Sequence, residues 1–262
     1  MNIYLASVDQ RPWIPEIIYS NSYKNDMYYP LHLIKKNNIT INILISFFYQ
    51  NNRINKMIPY FDNLLLDSGA FTFMNNQKKD INWGKYIDEY IDFINKYDIK
   101  HFFELDIDCI VGHEKVKEMR KYIESKTNRK SIPVWHKSRG LNEFINLSQQ
   151  YNYIAIGGIV TNEIKRNEYP YFTKLLQIAK ENECKVHGLG FTSLKNLKKY
   201  RFHSTDSSSW TYGERLGSIY KFNQNKMIIY NKPNNKRILN SKKIAINNFC
   251  EWIKFANYMK QF

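Results

Sequence analysis

Apolar and polar positions follow one another in short blocks along the chain, and eight apolar blocks predict β-strands. They lie at 2–7, 41–49, 64–71, 101–108, 132–136, 153–158, 185–190 and 201–210. Most are bounded by Gly, Asp or Ser, as is typical of strands that are buried on both faces of a parallel sheet. Helical periodicity fills most of the intervals between these strands and is clearest at 82–97, where apolar residues recur every three or four positions.

The alternation of strands and helices predicts βαβ units, and therefore an α/β fold. Further helices are predicted over 113–125, 141–150, 168–182, 193–199 and 242–260. Eight strands fit a single (β/α)8 TIM-type barrel. An open doubly wound sheet is the alternative, but SVDQRPW follows the first strand where that fold has a glycine-rich loop. We assign residues 1–214 to a barrel catalytic domain and 215–262 to a basic extension whose final helix packs on the barrel.

Charge narrows the choice of partner. The chain has 39 basic and 24 acidic residues, a net charge of +15, which favours a polyanion over a neutral metabolite. Residues 215–250 contain eight basic residues and no acidic one, with Tyr220, Phe222 and Tyr230 placed where they could stack on bases. A solvated basic extension is the alternative interpretation of this segment.

Three cysteines, all more than 60 residues apart, predict neither a zinc module nor a disulfide framework. The N-terminal residues do not resemble a secretory leader, and the longest apolar run, INILISFFY, is too short to span a bilayer. We therefore expect a soluble cytoplasmic protein with no membrane partner.

Chemically useful residues end several of the predicted strands. Because parallel strands share one carboxyl edge, Asp67, Asp106, His136 and Asp206 are expected to converge there, which favours an enzyme. Glu104, Asp106 and Asp108 alternate within an apolar run, so they need a metal, basic side chains or a substrate rich in N–H donors.

A metal-dependent hydrolase would use these acids with histidines, namely His101, His136, His187 and His203. The chain has neither the His-x-His pair nor the strand-end lysine of such barrels, so we predict no metal. A second alternative is a nucleic-acid-binding barrel without catalytic activity.

Four motifs together resemble the tRNA-guanine transglycosylase superfamily. They are DSGAF (67–71), GGIVTNE (157–163), HGLG (187–190) and TDSSSW (205–210), in the order that this superfamily has them. The resemblance covers roughly residues 60–215 and is closest to the phage and bacterial branch that inserts 7-deazaguanines into DNA. The chain departs from the tRNA enzymes in having no zinc module, DSGA in place of DSGG, and His136 in place of a glutamine.

The resemblance implies base exchange at a nucleoside C1′ through a covalent aspartyl-nucleoside. Asp206 would be the nucleophile and Asp67 would transfer protons on the departing and incoming bases. Asp106 would accept from the guanine N–H groups, while Gly158 and His136 would donate to its O6. The full set of implied base-binding residues is Ser68, Phe71, Asp106, His136, Gly157, Gly158, His187 and Gly188, with Phe71 and His187 stacking on the base.

The partners implied are DNA, with tRNA as the alternative, and a free 7-deazaguanine base such as preQ0. No cofactor is required, since one glycosidic bond replaces another. The expected nucleic-acid contacts are Lys195, Lys198, Lys199, Arg201, Arg215 and Lys221. The resemblance leaves a homodimer open, and it would place a phage-encoded protein in the host cytoplasm.

Overall fold

Strands and helices alternate along most of the chain, so the protein has an α/β fold. The computed structural model describes residues 1–21, 26–76 and 81–262, and the side chains of 74–76 lie outside that description. None of the helices in the described residues combines the length and the apolar character that crossing a membrane requires.

Nine strands are present in the described residues: β1 (Asn2–Leu5), β2 (Asn42–Ser46), β3 (Asn63–Asp67), β4 (Val134–Trp135), β5 (Tyr153–Ile156), β6 (Lys185–Gly188), β7 (Ser204–Ser207), β8 (Ile219–Asn223) and β9 (Lys226–Tyr230). Parallel pairing joins β1 to β2 and to β7, and it joins β5 to β4 and to β6, while β8 and β9 form an antiparallel hairpin. Every residue of β2 and β5 is buried, which confirms the prediction of strands covered on both faces.

The helices of the described residues are α1 (Trp13–Ile18), α2 (Tyr29–Lys36), α3 (Asn52–Asn55), α4 (Ala70–Asn76), α5 (Trp83–Lys96), α6 (Asp108–Val111), α7 (His113–Thr127), α8 (Gly140–Gln150), α9 (Tyr171–Glu181), α10 (Tyr212–Leu216) and α11 (Ser241–Met259). The helix predicted over 82–97 is confirmed as α5, which begins after Asn82 because that side chain accepts the Lys85 N–H. The helix predicted over 193–199 is wrong. The Ser193 carbonyl accepts two N–H groups there, and its hydroxyl accepts the Asn196 amide, so local turn bonds replace a helix.

The strand predicted at 101–108 is also wrong as a continuous strand. Only two isolated parallel bridges form, Leu66 with Phe102 and Phe103 with Ile132. The chain then turns, with the Ile107 N–H bonded to the Leu105 carbonyl, and α6 begins at the next residue. Because of this turn, Asp106 and Asp108 both reach the Arg139 guanidinium.

One compact unit comprises residues 1–43, 52–63 and 190–262. In it β1 runs parallel to β7, with Asn2 opposite Ser204 and Leu5 opposite Ser207. Helix α11 packs on β1 and on the hairpin, and its core side chains include the fully buried Phe249.

The boundary predicted between residues 214 and 215 stays a prediction. In this unit residues on both sides of it are bonded to the same side chain, because the Asn248 amide donates to the carbonyls of Trp210 and Ser218.

The second unit comprises residues 44–51 and 64–189. It contains the parallel strands β4, β5 and β6, and its core is rich in fully buried aromatic rings: Tyr90, Phe102, Phe103, Trp135, Phe144 and Phe172. The Tyr90 hydroxyl donates to the Phe103 carbonyl over 2.9 Å, which anchors α5 to the segment that leads to the acidic residues.

Candidate functional site

His136 follows β4 in the second unit and places each ring nitrogen against a carboxylate. Its Nε2 lies 2.9 and 2.8 Å from the two Asp106 oxygens, and its Nδ1 lies 2.8 Å from Glu163 Oε2. Ionised carboxylates only accept hydrogen bonds, so both nitrogens carry protons and the ring is an imidazolium. Burial opposes this charge, but the hydrogen bonds to Asp106 and Glu163 outweigh it and raise the pKa of His136 to about 9.

Glu163 is fixed from a second direction by the backbone. Its Oε1 accepts the Ser138 N–H over 2.7 Å. Burial would raise the pKa of Glu163, but this N–H and His136 together hold it below its ordinary value. Glu163 therefore faces the imidazolium as a carboxylate and sets the orientation of the ring toward Asp106.

Arg139 holds the acids together, and only 5% of its side chain is exposed. Its Nη2 and Nε donate to Asp108 Oδ2 over 2.8 and 3.1 Å, and Nη2 also reaches Asp106 Oδ1 at 3.4 Å. Its Nη1 donates to the Val134 carbonyl and lies 3.8 Å from Glu104 Oε1. Burial would raise the pKa of Asp108, but Arg139 keeps it below its usual range.

Glu104 is completely buried and lies close to two arginines, Arg120 and Arg139. Its Oε1 accepts the Val134 N–H over 2.7 Å, and its Oε2 accepts from Arg120 Nη1 over 3.1 Å. Burial raises the pKa of Glu104 to about 7, against the opposing charges of Arg120 and Arg139. The sequence left three possible partners for the alternating acids, and for Glu104 and Asp108 the partners are basic side chains.

A metal centre competes with these contacts. Asp106, Asp108 and His136 can each offer one ligand atom, all within 4.8 Å of one another. A cation there would have to displace the proton on His136 Nε2 and the Arg139 guanidinium, which already supply positive charge to the same oxygens. The geometry therefore favours an ion-paired cluster, which we call the Asp106 cluster: Glu104, Asp106, Asp108, Arg120, His136, Arg139 and Glu163.

Gly157 and Gly158 leave the space that His136 and Glu163 of this cluster occupy. A Cβ on Gly157 would lie 2.8 Å from two atoms of the His136 ring and 2.9 Å from a Val134 methyl group. Gly158 has φ +76, and a Cβ there would lie 2.6 Å from Glu163 Oε2. The glycine pair, predicted to let the backbone approach a base, thus also makes room for the histidine and its orienting glutamate.

We expect Gly157→Ala to lower the free energy of unfolding by about 1–3 kcal/mol, because the methyl group would push His136 away from its two carboxylates. Urea denaturation would measure the loss. Gly84→Ala is the matched control: Gly84 is exposed near the start of α5, and its nearest neighbour would be 3.4 Å away. The control should be neutral or stabilising. Equal stability of G157A and the wild type would show that His136 does not require a residue without a side chain at position 157.

Asp67 ends β3 in a constrained turn. Its Oδ2 accepts the Gly69 N–H over 3.1 Å, and Tyr86 Oη donates to the Ser68 carbonyl over 2.6 Å. Gly69 has φ +83, and a Cβ on it would come within 2.5 Å of Phe48 Cβ, so this position requires glycine. Burial, and then the charge of Asp67, raise the pKa of Tyr86 and keep its hydroxyl a donor.

Two predicted base contacts near Asp67 have suitable side chains. The Ser68 hydroxyl is buried without a hydrogen-bond partner in the described residues, and Phe71, in the first turn of α4, is 48% exposed. Their roles stay predictions.

The stacking role predicted for His187 is not supported. Its side chain is fully buried in β6, and its ring lies edge-on to Phe103 with 5.2 Å between the ring centroids. A ring held this way contributes to the core. The neighbouring Gly188 is also buried at the end of β6.

Asp206 lies in the first unit, within β7. Its Oδ1 accepts the Gly190 N–H over 2.7 Å, and the side chain is half-buried. The flanking strand is held by Thr205, whose hydroxyl donates to the Phe191 carbonyl, and by Trp210, whose indole donates to the Ala6 carbonyl. The carboxylate is thus oriented by local backbone contacts.

The predicted nucleic-acid contacts are divided by the structure. Five are exposed in the first unit: Lys195, Lys199, Arg201, Arg215 and Lys221. Lys198 is engaged within the protein, where its Nζ donates to the Asn225 carbonyl and to Tyr258 Oη. The base-stacking role expected for Tyr220 and Phe222 is not supported either, because both rings pack against α11.

No protein-family model matches the chain, and comparison with curated proteins finds no significant match. The resemblance to the transglycosylases therefore rests on the motifs alone.

Arg139, Arg120 and Glu163 were not predicted as members of the cluster. Glu163 ends the GGIVTNE motif, so the motif itself was the available signal. Arg139 follows His136 by three residues in HKSRG, which marks it as a nearby cation. Arg120 lies on the buried face of α7 with Val116 and Ile123, and a charged residue at an apolar position of a helix is a sign of a buried ion pair.

Proposed function

We propose that the protein is a DNA guanine transglycosylase that exchanges guanine in DNA for a 7-deazaguanine base through a covalent aspartyl-nucleoside. The observation that carries the proposal is the position of Asp106 between His136 and Arg139. The N–H groups of His136 and Arg139 donate to Asp106 and hold it as an oriented acceptor in a mostly buried place. The guanine edge presents two neighbouring N–H donors, which an oriented carboxylate of this kind can accept.

The capacity of Asp106 supports this role. A carboxylate has about four acceptor sites, of which His136 and Arg139 use part, and the side chain is 13% exposed. The charged partners keep the group oriented before the base arrives, so little reorganisation accompanies binding. The arrangement supports recognition of the guanine N–H groups by Asp106. The role of His136 as donor to O6 comes from the motif resemblance and requires that its Nε2–H, which donates to Asp106, be shared with the base.

The chemistry requires two further carboxylates, whose roles come from the motif resemblance. Asp206 attacks C1′ on the face opposite the base; a C1′–O bond forms while the C1′–N9 bond breaks, and its electron pair leaves with guanine. Asp67 supplies the proton to the departing base. The incoming 7-deazaguanine returns a proton to Asp67 and attacks C1′, which releases Asp206.

The fold proposed with this activity is a TIM-type barrel without a zinc module, in which the segment with the Phe102 and Phe103 bridges serves as the eighth strand. The base must leave its stack in the duplex to reach such a catalytic centre.

Incubating the protein with a labelled 7-deazaguanine and either duplex DNA or tRNA tests the proposal. Label should enter duplex DNA. Label found in tRNA alone would mean that the substrate is RNA, and label in neither polymer would count against base exchange. Asp206→Ala should abolish the covalent adduct seen on a denaturing gel with the wild type. An adduct that persists in D206A would refute the nucleophile.

A further inference from the structure

The β8–β9 hairpin has two chemically distinct faces. The register pairs Lys221 with Ile228 and Asn223 with Lys226, and residues opposite each other in an antiparallel pair point to the same side. Because side chains alternate along each strand, one face carries Ile219, Lys221, Asn223, Lys226, Ile228 and Tyr230, which we call the outer face. The other carries Tyr220, Phe222, Met227 and Ile229, of which Tyr220 and Phe222 pack against α11.

The hairpin is anchored firmly to α11. The centroids of the Tyr220 and Trp252 rings are 5.7 Å apart, and those of Phe222 and Phe255 are 5.8 Å apart. The free edge of β8 is also bonded: the Tyr220 N–H donates to Asn248 Oδ1 over 2.9 Å, and the Phe222 N–H donates to Glu251 Oε2 over 2.6 Å. These bonds cover the edge against pairing with another strand and do not involve the outer face, where Lys221, Lys226 and Tyr230 are exposed.

Lys198 fixes the turn of the hairpin. Its Nζ donates to the Asn225 carbonyl over 3.2 Å and to Tyr258 Oη over 2.9 Å, and it lies over the Tyr258 and Phe262 rings. Both the turn of the hairpin and its strand β8 are therefore held to α11. A ligand on the outer face would meet a preorganised surface.

The outer face is basic and its charges are unpaired. Lys221 and Lys226 are exposed, and neither forms an ion pair within the part of the chain that the structure describes. Residues 190–262 contain fourteen basic and three acidic residues. Each of the three acids is engaged locally: Asp206 with Gly190, Glu214 with Arg11, and Glu251 with Phe222 and Lys254.

We propose that this outer face binds the phosphate backbone of duplex DNA, an inference that rests on the proposed function. A two-stranded ribbon is one of the elements that the major groove of DNA admits, and lysines at both strands of the ribbon can contact phosphates on its walls. Tyr230, which is 52% exposed beside Ile219, supplies a hydroxyl donor and a ring on the same surface. Fixed, unpaired positive charge makes a polyanion the complementary occupant.

The test compares K221Q/K226Q with K174Q/K180Q, which removes the same charge from two exposed lysines of α9 in the other unit. Binding of a fluorescent DNA duplex is measured by anisotropy over a range of salt concentrations. The ribbon variant should bind at least about tenfold more weakly near 0.1 M salt. Its negative slope of log K against log salt should become shallower by about 1.8, since each phosphate contact contributes about −0.9 to the slope. The α9 control should keep both the affinity and the slope.

Wild-type affinity and slope in K221Q/K226Q would overturn the proposal. So would an effect on tRNA or on anionic lipid vesicles with duplex DNA binding unchanged. The base-exchange assay separates this proposal from the proposed function. If the wild type transfers label to DNA and K221Q/K226Q binds DNA as tightly as the wild type, only the role of the hairpin is rejected. Weakened DNA binding without label transfer by the wild type supports the ribbon and rejects the transglycosylase. Both substituted lysines are exposed, so circular dichroism should show an intact fold.

Discussion

Replacing Arg139 with methionine is expected to lower the free energy of unfolding by about 3–5 kcal/mol, the cost typical of removing one partner from a buried ion pair. The guanidinium donates to Asp108 and Asp106 and lies 3.8 Å from Glu104. Methionine fills a similar volume but leaves these carboxylates with one cation fewer. The Val134 carbonyl also loses its donor. Chemical denaturation with urea measures the change.

Two further variants make the result specific. Arg166→Met removes an exposed arginine of the same unit and should change stability by less than about 0.5 kcal/mol. Arg139→Lys keeps the charge but not the planar fork that reaches two aspartates at once, so it should fall between the wild type and R139M. A loss below about 1 kcal/mol in R139M would show that Arg139 does not hold the cluster together.

Stability is expected to fall by about 3 kcal/mol as the pH rises from 6.5 to 9, because His136 is protonated in the folded protein. Its pKa is about 9 when folded and near 6.5 when unfolded, and one pKa unit corresponds to about 1.4 kcal/mol. A raised pKa means that the stabilisation is fully present below pH 6.5 and is lost as the pH passes through 9. Free energies of unfolding measured at half-unit intervals would show the slope.

His136→Gln isolates this contribution, since the amide has no charge to lose in that range. Glu104 has a raised pKa of about 7, so its contribution to stability declines as the pH rises from 4.5 to 7 and then stays constant. Because both proteins contain Glu104, its effect cancels in the difference between the wild-type and H136Q profiles. His113→Gln is the control: burial lowers the pKa of His113, so this variant should keep the wild-type fall above pH 6.5. Parallel profiles for the wild type and H136Q would contradict an imidazolium at this position.

The Asp106 cluster was predicted only in part from the sequence. The alternation of Glu104, Asp106 and Asp108 in an apolar run indicated that these acids need a metal, basic side chains or a substrate rich in N–H donors. It did not identify them, because Arg120 and Arg139 reach the acids only through the packing of α7 and of the turn after β4. The choice between a metal, basic side chains and a substrate depends on contacts between residues far apart in sequence, such as Glu104 and Arg120, which are 16 positions apart.

His187 and Lys198 illustrate the same limit. Each stands in a motif or run that predicted contact with a ligand, and each is used by the protein itself: His187 against Phe103, Lys198 across the hairpin turn. A sequence position at the end of a strand or within a basic run does not say whether neighbouring elements will cover the side chain. Lys221 lies in the same basic segment and is left exposed because its strand presents that face outward.

The sequence by itself determined the positions of seven strands and of the longer helices, because period-2 and period-3.6 patterns and Gly or Asp boundaries are local properties of the chain. Tertiary structure alone decided that residues 101–108 bend instead of forming a strand, that His136 is charged between Asp106 and Glu163, and that the hairpin turns Lys221 and Lys226 outward. Burial and ion pairing are set by elements distant in sequence, so no local pattern can specify them.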